Sequence, residues 1–85
     1  EEFVCLMPET KLADALQKAE AIRKRIFDLV IPHATSDTAD RVTISVGVAC
    51  TVPDDQDLKR LISAADEQLY KAKEGGRNRV EGVST

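Results

Sequence analysis

The stretch from Arg41 to Thr51 constrains this chain more than any other. Val42, Ile44, Val46, Val48 and Cys50 alternate with Thr43, Ser45, Gly47 and Ala49, and no charge falls on either face. Period-two alternation predicts a strand. The lack of charge predicts cover on both sides, so the strand belongs in a layered α/β arrangement with helices packed against the sheet. One face is large and β-branched, which suits a core. The other is small, with Gly47 open to close approach by a helix or a ligand. Tight helix packing accounts for those small residues without any chemistry.

The flanking segments supply the helices. Leu12, Ala15, Leu16, Ala19, Ile22, Ile26, Leu29 and Val30 recur at three-or-four spacing, which predicts a helix of about five turns packed on one face. Thr10 stands where its N-cap belongs. Leu58, Leu61, Ile62, Ala65, Leu69 and Ala72 form a second stripe. The acids Asp54, Asp55 and Asp57 precede it, where they complement a helix N-terminus. Gly75-Gly76 ends it, because glycine accepts the left-handed conformation of a C-cap. Phe3 to Met7 carries no charge and reads as a covered strand stopped by Pro8, and Arg77 to Val83 as a last short strand and tail. Ile31 to Asp40 is a polar connection, with a short strand near Val30–His33 left open and His33 a surface residue. The expected order is strand, helix, strand, helix, strand. Those strands are too apolar for two helices to cover, so a complete domain should add both sheet and helix.

Several function classes fall away on composition. A net charge of −3 over 85 residues lacks the basic stripe of a nucleic-acid or anionic-membrane surface. No apolar run approaches the roughly 20 residues that span a bilayer. The chain opens on two acids, unlike a secretory leader. Cys5 and Cys50 lie in apolar runs without metal-type spacing, and are expected as buried thiols of a reducing compartment.

Two places depart from simple packing. Glu1 and Glu2 precede a covered strand, and carboxylates at a strand end can hold Mg²⁺ while leaving positions open for phosphate. Adjacent strand residues point to opposite faces, so the two need not share a role. Read alone, two acids at a chain end are more often simply solvated charge. In Lys73-Glu74-Gly75-Gly76-Arg77-Asn78-Arg79, Lys73 falls in the last helical turn and Arg77 just past the glycine stop. A lysine offers a point charge and an arginine a planar fork, both suited to phosphate oxygens. Cations also stabilise a helix C-terminus with no ligand present.

Taken together, Glu1-Glu2-Phe3, the strand Val42-Thr43-Ile44-Ser45-Val46-Gly47-Val48-Ala49, and the segment from Ala65-Asp66-Glu67-Gln68-Leu69-Tyr70 through Gly75-Gly76-Arg77-Asn78 resemble the second half of the GGDEF family, the diguanylate cyclases. The resemblance covers nearly the whole chain, in order and at matching separations. It implies an α/β fold of the nucleotidyl-cyclase-like type, with a central, mostly antiparallel sheet flanked by helices. The family signature is a Gly-Gly-acid-Glu-Phe hairpin, and this chain opens at the first acid. Residues 1–85 therefore match a C-terminal half, with the N-terminal half lying outside them.

The same resemblance implies the chemistry. The family condenses two GTP into cyclic di-GMP, releasing two pyrophosphates, with each protomer of a homodimer presenting one GTP. Glu1 matches the position that ligates Mg²⁺, with Mn²⁺ as the alternative ion, and that activates the attacking 3′-hydroxyl. Glu2 matches the next catalytic acid. Lys73 and Arg77 match the phosphate-contacting cations. An upstream sensory or receiver domain and a cytoplasmic setting are implied too. A degenerate domain that only binds GTP or cyclic di-GMP is the second reading, and a paired structural scaffold the third. The family's other metal-binding aspartate, its guanine contacts and its upstream Arg-x-x-Asp inhibitory site fall in the half outside these residues, so the 85 residues alone are expected to be inactive.

Overall fold

The computed structural model describes residues 5, 7, 10–32, 41–51 and 58–85. Among them the order is α1 (Leu12–Asp28), β1 (Val46–Cys50), α2 (Leu58–Glu74) and β2 (Val80–Ser84). The α/β class is as expected from the sequence.

The two strands run parallel, with Val46 opposite Val80, Val48 opposite Gly82 and Cys50 opposite Ser84. This corrects the expected antiparallel sheet for the described strands. The cause is the connection. After β1 the chain spends 17 residues in α2 before β2, and a helical crossover returns the next strand in the same direction. Among the described residues, antiparallel pairing is confined to a bridge between Pro32 and Arg41, supported by Val42 N–H donating to Ile31 C=O at 2.7 Å. The expected strand at 42–50 is also shorter: residues 42–45 approach the sheet without entering it.

Alternation along β1 sorts the two helices. Val46, Val48 and Val80 pack with Ala15, Ala19, Leu12, Leu16 and Met7, so this face belongs to α1. Gly47 points the other way, onto the backbone of Ala65 and Leu69 in α2. Among the described residues the helices make no contact with each other. The sheet is thus a middle layer, and the small face of β1 serves helix packing.

Helix α1 starts differently from expectation. Its N-cap is Lys11, which makes no side-chain capping bond; a lysine has no acceptor to offer. Thr10 stands one residue too early. The buried positions of α1 are Ala15 and Ala19, whereas Ile22, Leu29 and Val30 of the same stripe are exposed. Length explains this: a 17-residue helix runs about 25 Å, whereas five strand residues run about 17 Å, so the last turns overhang the sheet. Beyond them, Arg41 reaches back to donate to Phe27 C=O at 3.1 Å and lies over the Phe27 ring at 4.4 Å. Val30 holds a φ of 51°, an outlying conformation for a β-branched residue.

The cysteines depart from the expected burial. Cys5 is exposed and Cys50 half-buried, both as thiols, and Cys50 Sγ donates to Thr10 C=O at 3.3 Å. The strand expected at Phe3–Met7 falls mainly outside the described residues, as do His33 and the acidic turn of Asp54, Asp55 and Asp57. Among the described residues no helix is long and apolar enough to cross a membrane.

Candidate functional site

The described part of the site is the end of α2 and the turn that follows. Arg77 N–H donates to Ala72 C=O at 2.9 Å, and Gly76 N–H donates to Lys73 C=O at 3.3 Å. Gly76 has a φ of 114°. These paired bonds around a left-handed glycine form a Schellman stop, as the Gly75-Gly76 pair leads one to expect. Gly75 also makes room: a Cβ there would meet Nη1 of Arg79 at 2.7 Å.

The turn does not relax after the glycine. Arg77 and Asn78 continue left-handed, at φ 64° and 48°. Asparagine tolerates this region, but arginine has no such excuse, and each such residue costs about 1–3 kcal/mol. Where the sequence reading begins a strand at Arg77, the chain instead makes a three-residue left-handed turn. Only then does Arg79 C=O accept from Val46 N–H at 2.9 Å and start the β1–β2 ladder. Strained residues persist where surrounding structure over-determines them, often at ligand sites.

Lys73 and Arg77 are both exposed at this same end of α2. The helix stop brings their backbones within one turn, as their spacing implies. Glu1 and Glu2, the expected catalytic acids with Glu1 the metal ligand, lie outside the described residues. Among the described residues, no three His, Cys, Asp or Glu side chains are placed to hold a metal ion.

The residue that sequence reasoning passed over is Arg23. Its Nη1 donates to Asn78 Oδ1 at 2.7 Å. Its Nε and Nη2 grip the two carboxylate oxygens of Glu20 at 2.8 and 2.7 Å. The Arg23 side chain is only 16% exposed against 53% for Glu20. The bond from Arg23 holds the Glu20 carboxyl below its ordinary value, and Glu20 raises the Arg23 guanidinium in turn. Near the helix end, a hydrogen bond to Glu74 pushes the Tyr70 phenol up. The sequence signal for Arg23 was the Glu20–Arg23 spacing off the apolar stripe, but such a pair names no third partner.

A shallow groove lined by Thr10, Asp14, Gln17, Lys18 and Ala21 shares no residue with the turn and joins no candidate side chain.

Known proteins give an independent view. Response regulator PleD of Caulobacter vibrioides is 44% identical over 82 residues, which cover 96% of this chain and 18% of PleD. Diguanylate cyclase DgcM of Escherichia coli is 40% identical over 80 residues, 94% of this chain and 18% of its own length. Diguanylate cyclase A of Treponema denticola is 36% identical over 80 residues, 94% of this chain and 21% of its own. The chain thus spans a fifth or so of these relatives. The model of the diguanylate cyclase GGDEF domain matches residues 1–79, and the chain belongs to the GGDEF family.

Proposed function

We propose that the protein containing this chain is a diguanylate cyclase, joining two GTP molecules into cyclic di-GMP. In each of two condensations the 3′-hydroxyl of one nucleotide attacks the α-phosphorus of the other and pyrophosphate leaves. The observation that carries the reading is the family match over residues 1–79, which takes in the strained turn bearing Arg77. The names of two relatives, both diguanylate cyclases, support it.

Lys73 and Arg77 are the proposed triphosphate contacts. A lysine offers charge from any direction, and an arginine two parallel donors. Aimed at phosphate oxygens, they stabilise the charge that grows on departing pyrophosphate. Glu1 is the proposed Mg²⁺ ligand, with Mn²⁺ able to replace it, and Glu2 the neighbouring catalytic acid. The metal would supply charge neutralisation at the phosphates. Two GTP in face-to-face sites require a homodimer, whose positioning contributes much of the rate. We place the domain in the cytoplasm, behind a sensory or receiver domain.

The test is turnover by the intact protein. GTP with Mg²⁺ should give cyclic di-GMP on chromatography, and Lys73→Ala and Arg77→Ala should each lower kcat/KM about ten- to a hundredfold, as expected for losing one charge-assisted contact. GTP binding without product, from folded protein, would contradict the assignment.

A further inference from the structure

We propose that Arg23 is a positioning residue for Arg77, acting from α1 through Asn78. The inference rests on the phosphate role proposed for Arg77 and extends it to a residue 54 positions earlier in the chain, one short of the 55 separating Arg23 from Asn78.

Three observations converge. First, the turn needs an external hold: Gly76, Arg77 and Asn78 are all left-handed, and an isolated turn of this kind would relax at the two non-glycine positions. Its helix-stop bonds fix Gly76 and the Arg77 N–H, and the ladder begins only at Arg79. Within the turn Arg79 Nε donates to Arg77 C=O at 3.3 Å, a bond between neighbours, and the Asn78 side chain is where another element, α1, takes hold of it. Second, Asn78 is gripped by a charged donor at 2.7 Å from a largely covered side chain. Such a bond is roughly twice as strong as a neutral one. Third, the donor is itself aligned. Glu20 takes both Nε and Nη2, a bidentate grip that fixes the plane of the guanidinium and leaves Nη1 aimed at Asn78. A pair three residues apart on an exposed helix contributes little to stability on its own. As an aligner it gives direction, which an isolated pair does not need.

The two helices have no contact of their own among the described residues, and this chain of bonds ties α1 to the turn that ends α2. Rotating the turn about its neighbours would move the Arg77 Cα and sweep its long side chain off a phosphate oxygen. Misplacement of about 1 Å can cost as much as a hundredfold in rate.

A merely structural Arg23 would lower stability without caring whether Arg77 is present, so a double-mutant cycle in the intact protein separates the two. Arg23→Ala should lower kcat/KM for GTP about tenfold when Arg77 is present. In the Arg77→Ala background it should change kcat/KM by less than about twofold. Any loss of thermal stability should be equal in both backgrounds. Should Arg23→Ala fail to fold, Asn78→Gly serves: glycine adopts a φ of 48° without strain and removes only the acceptor, with the same pattern expected. If Arg77→Ala is deleterious but Arg23→Ala or Asn78→Gly is harmless, or equally harmful in both backgrounds, the positioning role is overturned and the phosphate role stands. If Arg77→Ala itself leaves kcat/KM unchanged, the phosphate role falls and the positioning role falls with it.

Discussion

Gly47 faces the backbone of Leu69 so closely that a Cβ on it would overlap the Leu69 amide nitrogen and the Ala65 carbonyl oxygen, and would sit 2.8 Å from the Leu69 Cα. Strand and helix touch here with nothing between them. None of these atoms can swing aside as a side-chain end can. Gly47→Ala should therefore destabilise by about 3 kcal/mol, at the upper end for overpacking. Urea denaturation gives the number, and a loss under about 0.5 kcal/mol would mean that α2 lies further from the sheet.

Val30 holds a left-handed φ of 51° just past α1, and its side chain is exposed. Little packing is lost if it is removed. Val30→Gly should raise stability by about 1 kcal/mol, relieved strain exceeding the added freedom of the unfolded chain. A lower melting temperature for the variant would show that the Val30 side chain makes contacts worth more than the strain.

The Glu20–Arg23 pair makes part of the stability pH-dependent. The folded carboxyl titrates below its ordinary value of 4.5, so the folded state binds protons less readily than the unfolded one. The contribution is complete above the unfolded value and disappears as pH falls through the lowered one. The melting-temperature gap between the native chain and Glu20→Gln should be widest above the ordinary carboxylate value and close as pH falls through the lowered one. Added salt should narrow it at neutral pH, because half-exposed pairs are screened. A gap independent of pH would show that the pair does not form.

The layers of the fold were legible in the sequence because they depend on period and charge. Val42 to Cys50 has no charged face, so it had to lie between helices, and the stripes of α1 and α2 supplied them. Gly75-Gly76 marked the end of α2 because only glycine stops a helix in this way at little cost. Sheet direction was not legible, since it depends on how 17 residues of α2 return the chain and not on either strand's composition. Nor was the N-cap: Thr10 has the right chemistry, but the helix begins one residue later, at a lysine. In the site, Lys73 and Arg77 were legible by type and spacing. The left-handed state of Arg77 was not, because arginine has no preference for it. The spacing of Glu20 and Arg23 marked a helix-surface pair but not its reach to the turn, since Asn78 lies 55 positions from Arg23.

The central claim is that Arg77 is kept for a ligand and not for the fold, and Arg77→Gly tests it most directly. Glycine accepts a φ of 64° without strain, so the account predicts a melting temperature that holds or rises, equivalent to about 0.5–1 kcal/mol of added stability. It also predicts that kcat/KM for GTP in the intact protein falls by about tenfold or more. If Arg77 instead only closes the helix, the same variant will lose stability while each folded molecule turns over GTP as before, and that result would contradict the account.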